Sequence, residues 1–230
     1  MVARFRMRFY VWAGFVALAM LSASTSAEDD DSEGEEYAVV TCGSVIKLQH
    51  AQTKYRLHSH DVKWGSGSTQ QSVTVVAHHD DPNSLWKVSG AHGTHCPQGT
   101  PVKIGQTIRL THIKTKRNLH SHLFQSPLSK QQEISCFGEK GRGDDSDNWV
   151  VESKDGGQYW KRGARVRFSH AATRQYLQTR SNFKFDQSNC GHNCPIAGQL
   201  EASAFRNGED EAVFWQTAEG IYYPNESLVK

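Results

Sequence analysis

Residues 43–50, GSVIKLQH, open a pattern that returns as GQTIRLTH at 105–112 and as GARVRFSH at 163–170. Within each copy apolar residues alternate with polar ones, so that Ile46, Leu48 and His50 share one face of the first copy. A period of two is typical of a half-buried β-strand. The opening strand of each copy is therefore predicted to begin just after a glycine and to end at a histidine.

The likeness between the copies continues beyond this strand. Each copy passes through a TK or TR turn to a leucine and closes on a tryptophan strand. We expect these residues to form the buried framework: Leu57, Leu119, Leu177, Trp86, Trp149 and Trp215. The three repeats cover roughly residues 43–96, 105–155 and 163–219, with about four strands in each.

The repeats decide the fold class. No stretch between residues 37 and 223 has the pattern of a long amphipathic helix, so the chain is predicted to be all-β. Three four-stranded units can bury one face each and hide their edges by closing around a shared axis. We therefore predict a β-trefoil with pseudo-threefold symmetry over residues 37–223, followed by a C-terminal tail at 224–230. Solenoid stacking is the alternative, although solenoid repeats are typically shorter.

Charge is nearly balanced over the whole chain but unevenly distributed. With 26 Lys and Arg against 24 Asp and Glu, the net charge of +2 gives no support for nucleic-acid binding. Residues 28–36, EDDDSEGEE, hold seven acids and no base, and we expect this segment to be disordered. It is interpreted as a solubilising tail; the alternative is that it shields the more basic body or competes for a basic docking face.

The first 27 residues have the organisation of a secretory signal peptide. Three arginines precede an apolar run at 9–21, and small residues follow up to Ala27, after which we expect cleavage. A membrane anchor is the alternative, but thirteen apolar residues fall short of the about 20 that span a bilayer. No membrane insertion of the mature chain is expected, and its five cysteines would lie in an oxidising compartment.

Six motifs carry a resemblance to a known family. LHSHD at 57–61, GSGS at 65–68, QQSVT at 70–74, RLTH at 109–112, NLHSH at 118–122 and AEGIY at 218–222 resemble the MIR repeats of the stromal cell-derived factor 2 family. The similarity extends from about residue 40 to residue 223. MIR repeats also occur in protein O-mannosyltransferases and in two families of calcium-release channels, where they accompany large membrane domains.

The resemblance implies a β-trefoil of three MIR motifs in the lumen of the endoplasmic reticulum. It also implies partners: a J-domain (Hsp40-class) co-chaperone of the lumenal Hsp70 system, and unfolded client proteins, with links to the unfolded-protein response. Many animal relatives end in a retention tetrapeptide of the HDEL kind, whereas this chain ends in SLVK. Retention by a partner and secretion both stay open as expectations.

Five cysteines allow two disulfides. Cys42 precedes the first strand and Cys96 follows the Trp strand of the same repeat, positions that a trefoil can bring together and that also match relatives. Cys190 and Cys194 have C-x3-C spacing with no second pair, which favours a loop-closing disulfide over a redox or zinc motif. Cys136 competes with these two, and the sequence leaves open which of the three stays free.

Histidines supply the candidate binding residues. His50, His112 and His170 occupy equivalent strand ends, and we expect each imidazole to satisfy backbone groups of its own repeat; a shared metal is the alternative. His-x-His pairs, which we expect to face one side of their strands, could bind a polar or peptide ligand: His58 with His60, and His120 with His122. The third copy has Gln178 and Arg180 there, so a threefold metal array is excluded.

No catalytic motif is found, and neither a cofactor nor a metal is expected. The sequence therefore favours a non-enzymatic chaperone accessory subunit. A lectin-like carbohydrate-binding module is the alternative, for which further aromatics could stack on a glycan: Tyr55, Trp64, Phe124, Tyr159, Trp160 and Tyr176. Asn225 begins the N-x-S/T acceptor of the chain, and we expect it to be exposed and open to glycosylation.

Overall fold

In the described part of the chain, short alternating segments separated by turns build twelve strands, four from each repeat. The computed structural model describes residues 38–225. The predicted signal peptide (1–27), the acidic segment (28–36) and residues 226–230 of the tail lie outside the described residues. The strands are β1 (Val45–His50), β2 (Arg56–Lys63), β3 (Gln71–Val76) and β4 (Trp86–Gly90); β5 (Thr107–His112), β6 (Asn118–Gln125), β7 (Gln132–Phe137) and β8 (Trp149–Ser153); β9 (Val166–His170), β10 (Tyr176–Lys184), β11 (Leu200–Phe205) and β12 (Trp215–Ile221).

Six of the strands close a barrel and six form its cap. The antiparallel pairs β1–β4, β4–β5, β5–β8, β8–β9, β9–β12 and β12–β1 complete a ring. The hairpins β2–β3, β6–β7 and β10–β11 cover one end, and their second strands pair with one another as β3–β7, β7–β11 and β11–β3. This is a β-trefoil, as the three sequence repeats predict.

The turn between the first two strands of each repeat has a special backbone. The basic residue of the TK or TR turn has a positive φ in all three repeats, at Lys54 (63°), Lys116 (57°) and Arg174 (58°). This left-handed conformation is uncommon for residues other than glycine. Its presence at one position of every repeat shows that the turn geometry repeats along with the sequence.

The predicted framework residues form the centre of the barrel core. All six leucines and tryptophans are completely buried. Each indole N–H also donates to the carbonyl of the leucine of its own repeat: Trp86 to Leu57 (2.9 Å), Trp149 to Leu119 (3.0 Å) and Trp215 to Leu177 (2.9 Å). Burial and a satisfied donor therefore occur together at every copy.

The strand-end histidines connect neighbouring repeats. The Nδ1 atom of His50 lies 3.0 Å from the Thr53 hydroxyl of its own repeat, but its Nε2 atom lies 3.0 Å from the Ala212 carbonyl of the third repeat. His112 and His170 repeat this pattern with the carbonyls of Asn83 and Ser146, each in the preceding repeat. The expectation that each imidazole satisfies backbone groups of its own repeat holds for the Nδ1 atoms of His50 and His112, which accept from the Thr53 and Thr115 N–H groups (3.2 and 3.3 Å). It is incomplete for the Nε2 atoms, because their carbonyl partners belong to short 3₁₀ turns of the adjacent repeat.

Helical structure in the described residues is confined to short turns. A 3₁₀ turn precedes each Trp strand, at Pro82–Ser84, Asp145–Asp147 and Glu211–Val213. One α-helical turn, α1 (Gln187–Cys190), is capped by the Asp186 carboxylate, which accepts from the backbone N–H groups of Ser188 and Asn189. Within residues 38–225, no helix has the length and apolarity needed to cross a membrane.

Two disulfides are present and one thiol is free. Cys42 is bonded to Cys96, which ties the start of β1 to the loop after β4, and Cys190 is bonded to Cys194 at the end of α1. Cys136 is the free and buried cysteine among the described residues. Burial raises the pKa of its thiol to about 12, so the reactive thiolate is suppressed.

Candidate functional site

The two His-x-His pairs lie at the starts of the cap hairpins, on β2 and β6. The Nδ1 atom of His58 lies 2.7 Å from Asp81 Oδ2, and its Nε2 atom lies 2.7 Å from Nδ1 of His60. His58 is thus held between a carboxylate and a second imidazole, and it is 5% exposed. The two histidines were expected to face the same side of the strand. Their rings are in direct contact, with centroids 4.9 Å apart.

Asp81 positions this pair and also begins the adjacent 3₁₀ turn. It accepts from the Ser84 hydroxyl (2.6 Å) as well as lying against His58. Burial alone would raise the pKa of Asp81, but hydrogen bonds from Ser84 and His58 hold it below its usual value. Burial and the neighbouring His58 lower the pKa of His60. At neutral pH the site therefore carries an Asp81 carboxylate beside an uncharged His60.

The equivalent strand of the second repeat binds its carboxylates differently. His120 Nδ1 lies 2.9 Å from Oδ1 of the fully buried Asp147, and His122 Nε2 lies 3.2 Å from Oε1 of the fully buried Glu133. In the third repeat the Arg180 guanidinium donates to Asp210 (2.6 Å) and to the Gln178 amide oxygen. A polar pair in every repeat thus binds a carboxylate, but with a different set of side chains each time.

Among residues 38–225, one group of side chains has the spacing of a metal site. His120, Asp144 and Asp147 each offer a ligand atom within 4.8 Å of the others. These carboxylates already accept hydrogen bonds, because Asp144 caps Ser146 N–H (2.8 Å) and Asp147 accepts from Asn118 (3.0 Å). The group is therefore explained as the cap of the 3₁₀ turn. His50, His112 and His170 form no such group within the described residues.

A groove of about 720 Å³ opens beside His58 and His60. All three repeats contribute to its wall: His58, His60, Asp61, Asn83, Lys114, Thr115, Arg117, Pro195 and Gln199. Arg117 is fixed across it, since its guanidinium donates to Asp61 (3.1 Å) and to the Gln71 amide oxygen (2.7 Å). The groove therefore presents a fixed cation and a neutral imidazole at the meeting point of the repeats.

One polar atom of the groove wall lacks a partner. The Asn83 side-chain oxygen is buried, and no hydrogen-bond donor reaches it from within residues 38–225. Buried polar atoms without a hydrogen bond are rare in folded proteins. Because this oxygen is buried, it belongs to the interior of the wall and is not a contact open to a ligand in the groove.

The hairpin of the second repeat carries an apolar, exposed surface next to its histidine pair. Rings follow one another along β6 and β7, with centroid distances of 4.8 Å from Phe137 to His120, 5.1 Å from His120 to His122 and 4.9 Å from His122 to Phe124. Phe124 is 51% exposed and its neighbour Leu123 is 84% exposed. This surface could contact an apolar segment of a partner.

The histidines stand out in the sequence, whereas the residues that fix them lie outside the strand patterns. Asp81, Asn83 and Arg117 lie in loops, where no strand pattern points to them. One signal was present: Asp81, Asp144 and Asp210 each stand five residues before a framework tryptophan. Of the aromatics considered for glycan stacking, Trp64 and Trp160 are buried in the fold and Phe124 is exposed.

Asn225 is placed differently from the expectation. The residue is 6% exposed, so the prediction of an exposed acceptor is wrong for this position in the described conformation. An oligosaccharide needs an accessible side-chain nitrogen. Glycosylation at Asn225 stays a prediction that requires this end of the chain to move away from the body.

Comparison with known proteins identifies close relatives. The family model of the MIR domain matches residues 57–155. The chain is 49% identical to a stromal cell-derived factor 2-like protein of Dictyostelium discoideum, over 84% of this chain and 90% of that protein. It is 45% identical to stromal cell-derived factor 2 of Homo sapiens, over 94% of this chain and 95% of that protein.

Solved structures show the same similarity in three dimensions. The crystal structure of the SDF2-like protein from Arabidopsis thaliana matches with a TM-score of 0.75 and 44% identity, over 81% of this chain and 98% of that one. A protein O-mannosyltransferase complex of S. cerevisiae, solved with its sugar donor, matches with a TM-score of 0.68 and 27% identity. That match covers 85% of this chain but 27% of the larger one.

Proposed function

Since this chain belongs to the stromal cell-derived factor 2 family of MIR-domain proteins, we propose that it is a non-enzymatic accessory subunit of lumenal chaperones. It would bind an Hsp40-class co-chaperone of the Hsp70 system and segments of unfolded clients. The observation that carries the proposal is the groove where the three repeats meet, with Arg117 and His60 in its wall.

The chemistry of this groove supports binding rather than catalysis. Arg117 is paired with Asp61, and His58 is held by Asp81 and His60, so these groups are engaged with one another. An extended peptide offers both N–H and C=O groups, which suits a wall of amides, imidazole and guanidinium.

The proposed compartment is the endoplasmic reticulum lumen or the secreted medium. Two disulfides, Cys42–Cys96 and Cys190–Cys194, support an oxidising environment, because thiols are kept reduced in the cytosol. The same chemistry applies in the lumen and outside the cell. A partner that is itself retained would keep the protein in the lumen; without such a partner it would be secreted.

Affinity purification from the endoplasmic reticulum tests the proposal. We expect a J-domain co-chaperone to be recovered in a stoichiometric, salt-stable complex, identified by mass spectrometry. Changing the groove with Lys114→Glu together with His60→Ala should lower recovery by about tenfold, the effect of about 1.4 kcal/mol of lost binding. Lys54→Glu, at an exposed turn in the first repeat, is the control.

Two results would contradict the proposal. A protein recovered alone, and mainly in the medium, would contradict the chaperone role. Sub-millimolar, sugar-competed binding on a glycan array would support the lectin alternative instead. That alternative has less support in the structure, since both Trp64 and Trp160 are buried.

A further inference from the structure

A second groove, separate from the one beside His58, runs along the outside of the barrel where the first repeat meets the second. It has a volume of about 430 Å³ on the side of the cap and continues into a depression of about 320 Å³ toward the loop after β4. Both parts share Lys87, Ser89 and Arg109. We call the surface formed by Lys87, Ser89, Arg109, Lys116 and Lys140 the basic trough.

The basic trough concentrates positive charge. Four of its five defining residues are Lys or Arg, and among residues 38–225 no Asp or Glu lines either part. Within residues 38–225, none of these four cations forms an ion pair, although ion pairs occur elsewhere on the body. The three lysines are exposed, so their charges face solvent.

Arg109 is held rigidly at the centre. It is half-buried, and its Nε and Nη1 groups donate to the carbonyls of Gly90 (3.0 Å) and Gly141 (3.3 Å). These two contacts fix the guanidinium plane and leave further N–H groups for a ligand, since a guanidinium carries five donors. Ser89 pairs with Arg109 across β4 and β5 and adds a hydroxyl.

The pseudo-threefold symmetry supplies an internal comparison. Arg167 is the equivalent of Arg109, and the residue paired with it across β8 and β9 is Glu152 instead of a serine. Glu152 accepts from Arg167 Nε (3.0 Å), and Glu209 accepts from Arg167 Nη1 (2.8 Å). Within the described part of the chain, carboxylates therefore neutralise this position in the third repeat, whereas none is paired with Arg109.

We propose that the basic trough binds an acidic peptide segment of a partner protein. A row of carboxylates would supply at this junction the negative charge that Glu152 and Glu209 supply to Arg167. A short acidic segment suits a local cluster of four cations on a chain whose net charge is only +2. A long polyanion would need a wider positive field than this body provides.

The test is a titration of the full chain with a fluorescently labelled hexaglutamate peptide, followed by anisotropy at low salt. Ser89→Glu installs the carboxylate that the third repeat has, so the variant is expected to fold with an internal Glu–Arg pair. We expect it to bind the peptide at least about tenfold more weakly than wild type, with Ser89→Gln close to wild type. Lys116→Gln should also weaken binding, whereas Lys54→Gln, the same turn position in the first repeat, should not.

Added salt should weaken the wild-type complex, because exposed charges are screened beyond about 8 to 10 Å at physiological ionic strength. Equal affinity of wild type and Ser89→Glu for the peptide, with both proteins folded by circular dichroism, would overturn the proposal. A sulfated polysaccharide that binds wild type more tightly than the peptide, and loses that affinity in Ser89→Glu, would assign the basic trough to polyanions and also overturn it.

Discussion

Each framework tryptophan fills the core and satisfies a backbone carbonyl with the same side chain. Repetition of the residue made its burial predictable, because a position kept in three copies of one strand pattern belongs to the shared core. The hydrogen bond to the leucine carbonyl was not predictable, since it depends on the distance between two strands. Trp160 gives the contrast: it is equally buried, but its indole nitrogen has no hydrogen-bond partner among the described residues.

Exchange of these tryptophans for phenylalanine separates packing from hydrogen bonding. We expect Trp149→Phe to destabilise the fold by about 1 to 3 kcal/mol more than Trp160→Phe, because it leaves the buried Leu119 carbonyl without its donor. Trp149→Ala should cost about 3 to 5 kcal/mol through the cavity it creates. Urea unfolding of the three variants measures these differences. Equal losses for both phenylalanine variants would show that the hydrogen bond contributes nothing.

The same contact between a strand and a 3₁₀ turn joins each repeat to its neighbour. A strand-end histidine bonds to the carbonyl of a 3₁₀ turn in the adjacent repeat and packs beside that repeat's tryptophan, with ring centroids 5.1 Å apart for His50 and Trp215. The barrel is thereby closed at every junction by the same contact. Burial lowers the pKa of His50 and of His112 to about 4, and it also lowers the pKa of His170.

These junctions predict a pH-dependent stability. A histidine whose pKa is depressed in the folded state stabilises the fold above its unfolded pKa of about 6.5 and loses that contribution as the pH falls toward about 4. Between about pH 7.5 and about pH 5 we expect a loss of about 2 kcal/mol for each of His50 and His112.

Urea unfolding at both pH values measures this loss. His112→Asn should be less stable than wild type at neutral pH but should show a smaller drop on acidification. An equally steep drop in this variant would assign the acid sensitivity to the carboxylates instead.

Strands and turns followed from the sequence more directly than the candidate site did. The period-two pattern placed β1, β5 and β9 because alternation reports which face is buried. The groove beside His58 was not predictable, since Asn83 and Arg117 are brought to it from loops that have no periodicity. Cys42–Cys96 was predictable because a trefoil brings the two ends of one repeat together.

At the scale of the whole molecule, the residues of the barrel core repeat in all three copies, whereas several surface residues differ between the copies. The buried framework is the same in three copies, whereas Gln178 and Arg180 replace the histidine pair in the third. Ser89 likewise stands opposite Arg109 where Glu152 stands opposite Arg167. Positions that break the repeat are therefore where binding properties were able to diverge without loss of the core.

Deletion of residues 28–36 tests the role of the acidic segment. Because these nine residues include no apolar side chain for packing, we expect the free energy of unfolding to change by less than about 1 kcal/mol. Calorimetry of the mature chain with and without the segment measures this. A large drop in melting temperature would contradict the solubilising interpretation, and a salt-sensitive gain in affinity for an acidic peptide would favour competition.

Cys136 makes correct oxidation depend on the order of events during assembly. Its strand is paired with β6 of its own repeat and with β3 of the first, so the sulfur is enclosed only after two hairpins have met. Until then the nascent chain carries a fifth thiol that can exchange with the other four in an oxidising compartment. Formation of the two native disulfides therefore requires the cap to close faster than the Cys136 thiol is oxidised. A substitution that delays the cap would therefore yield mispaired isomers even if the finished protein were as stable as before.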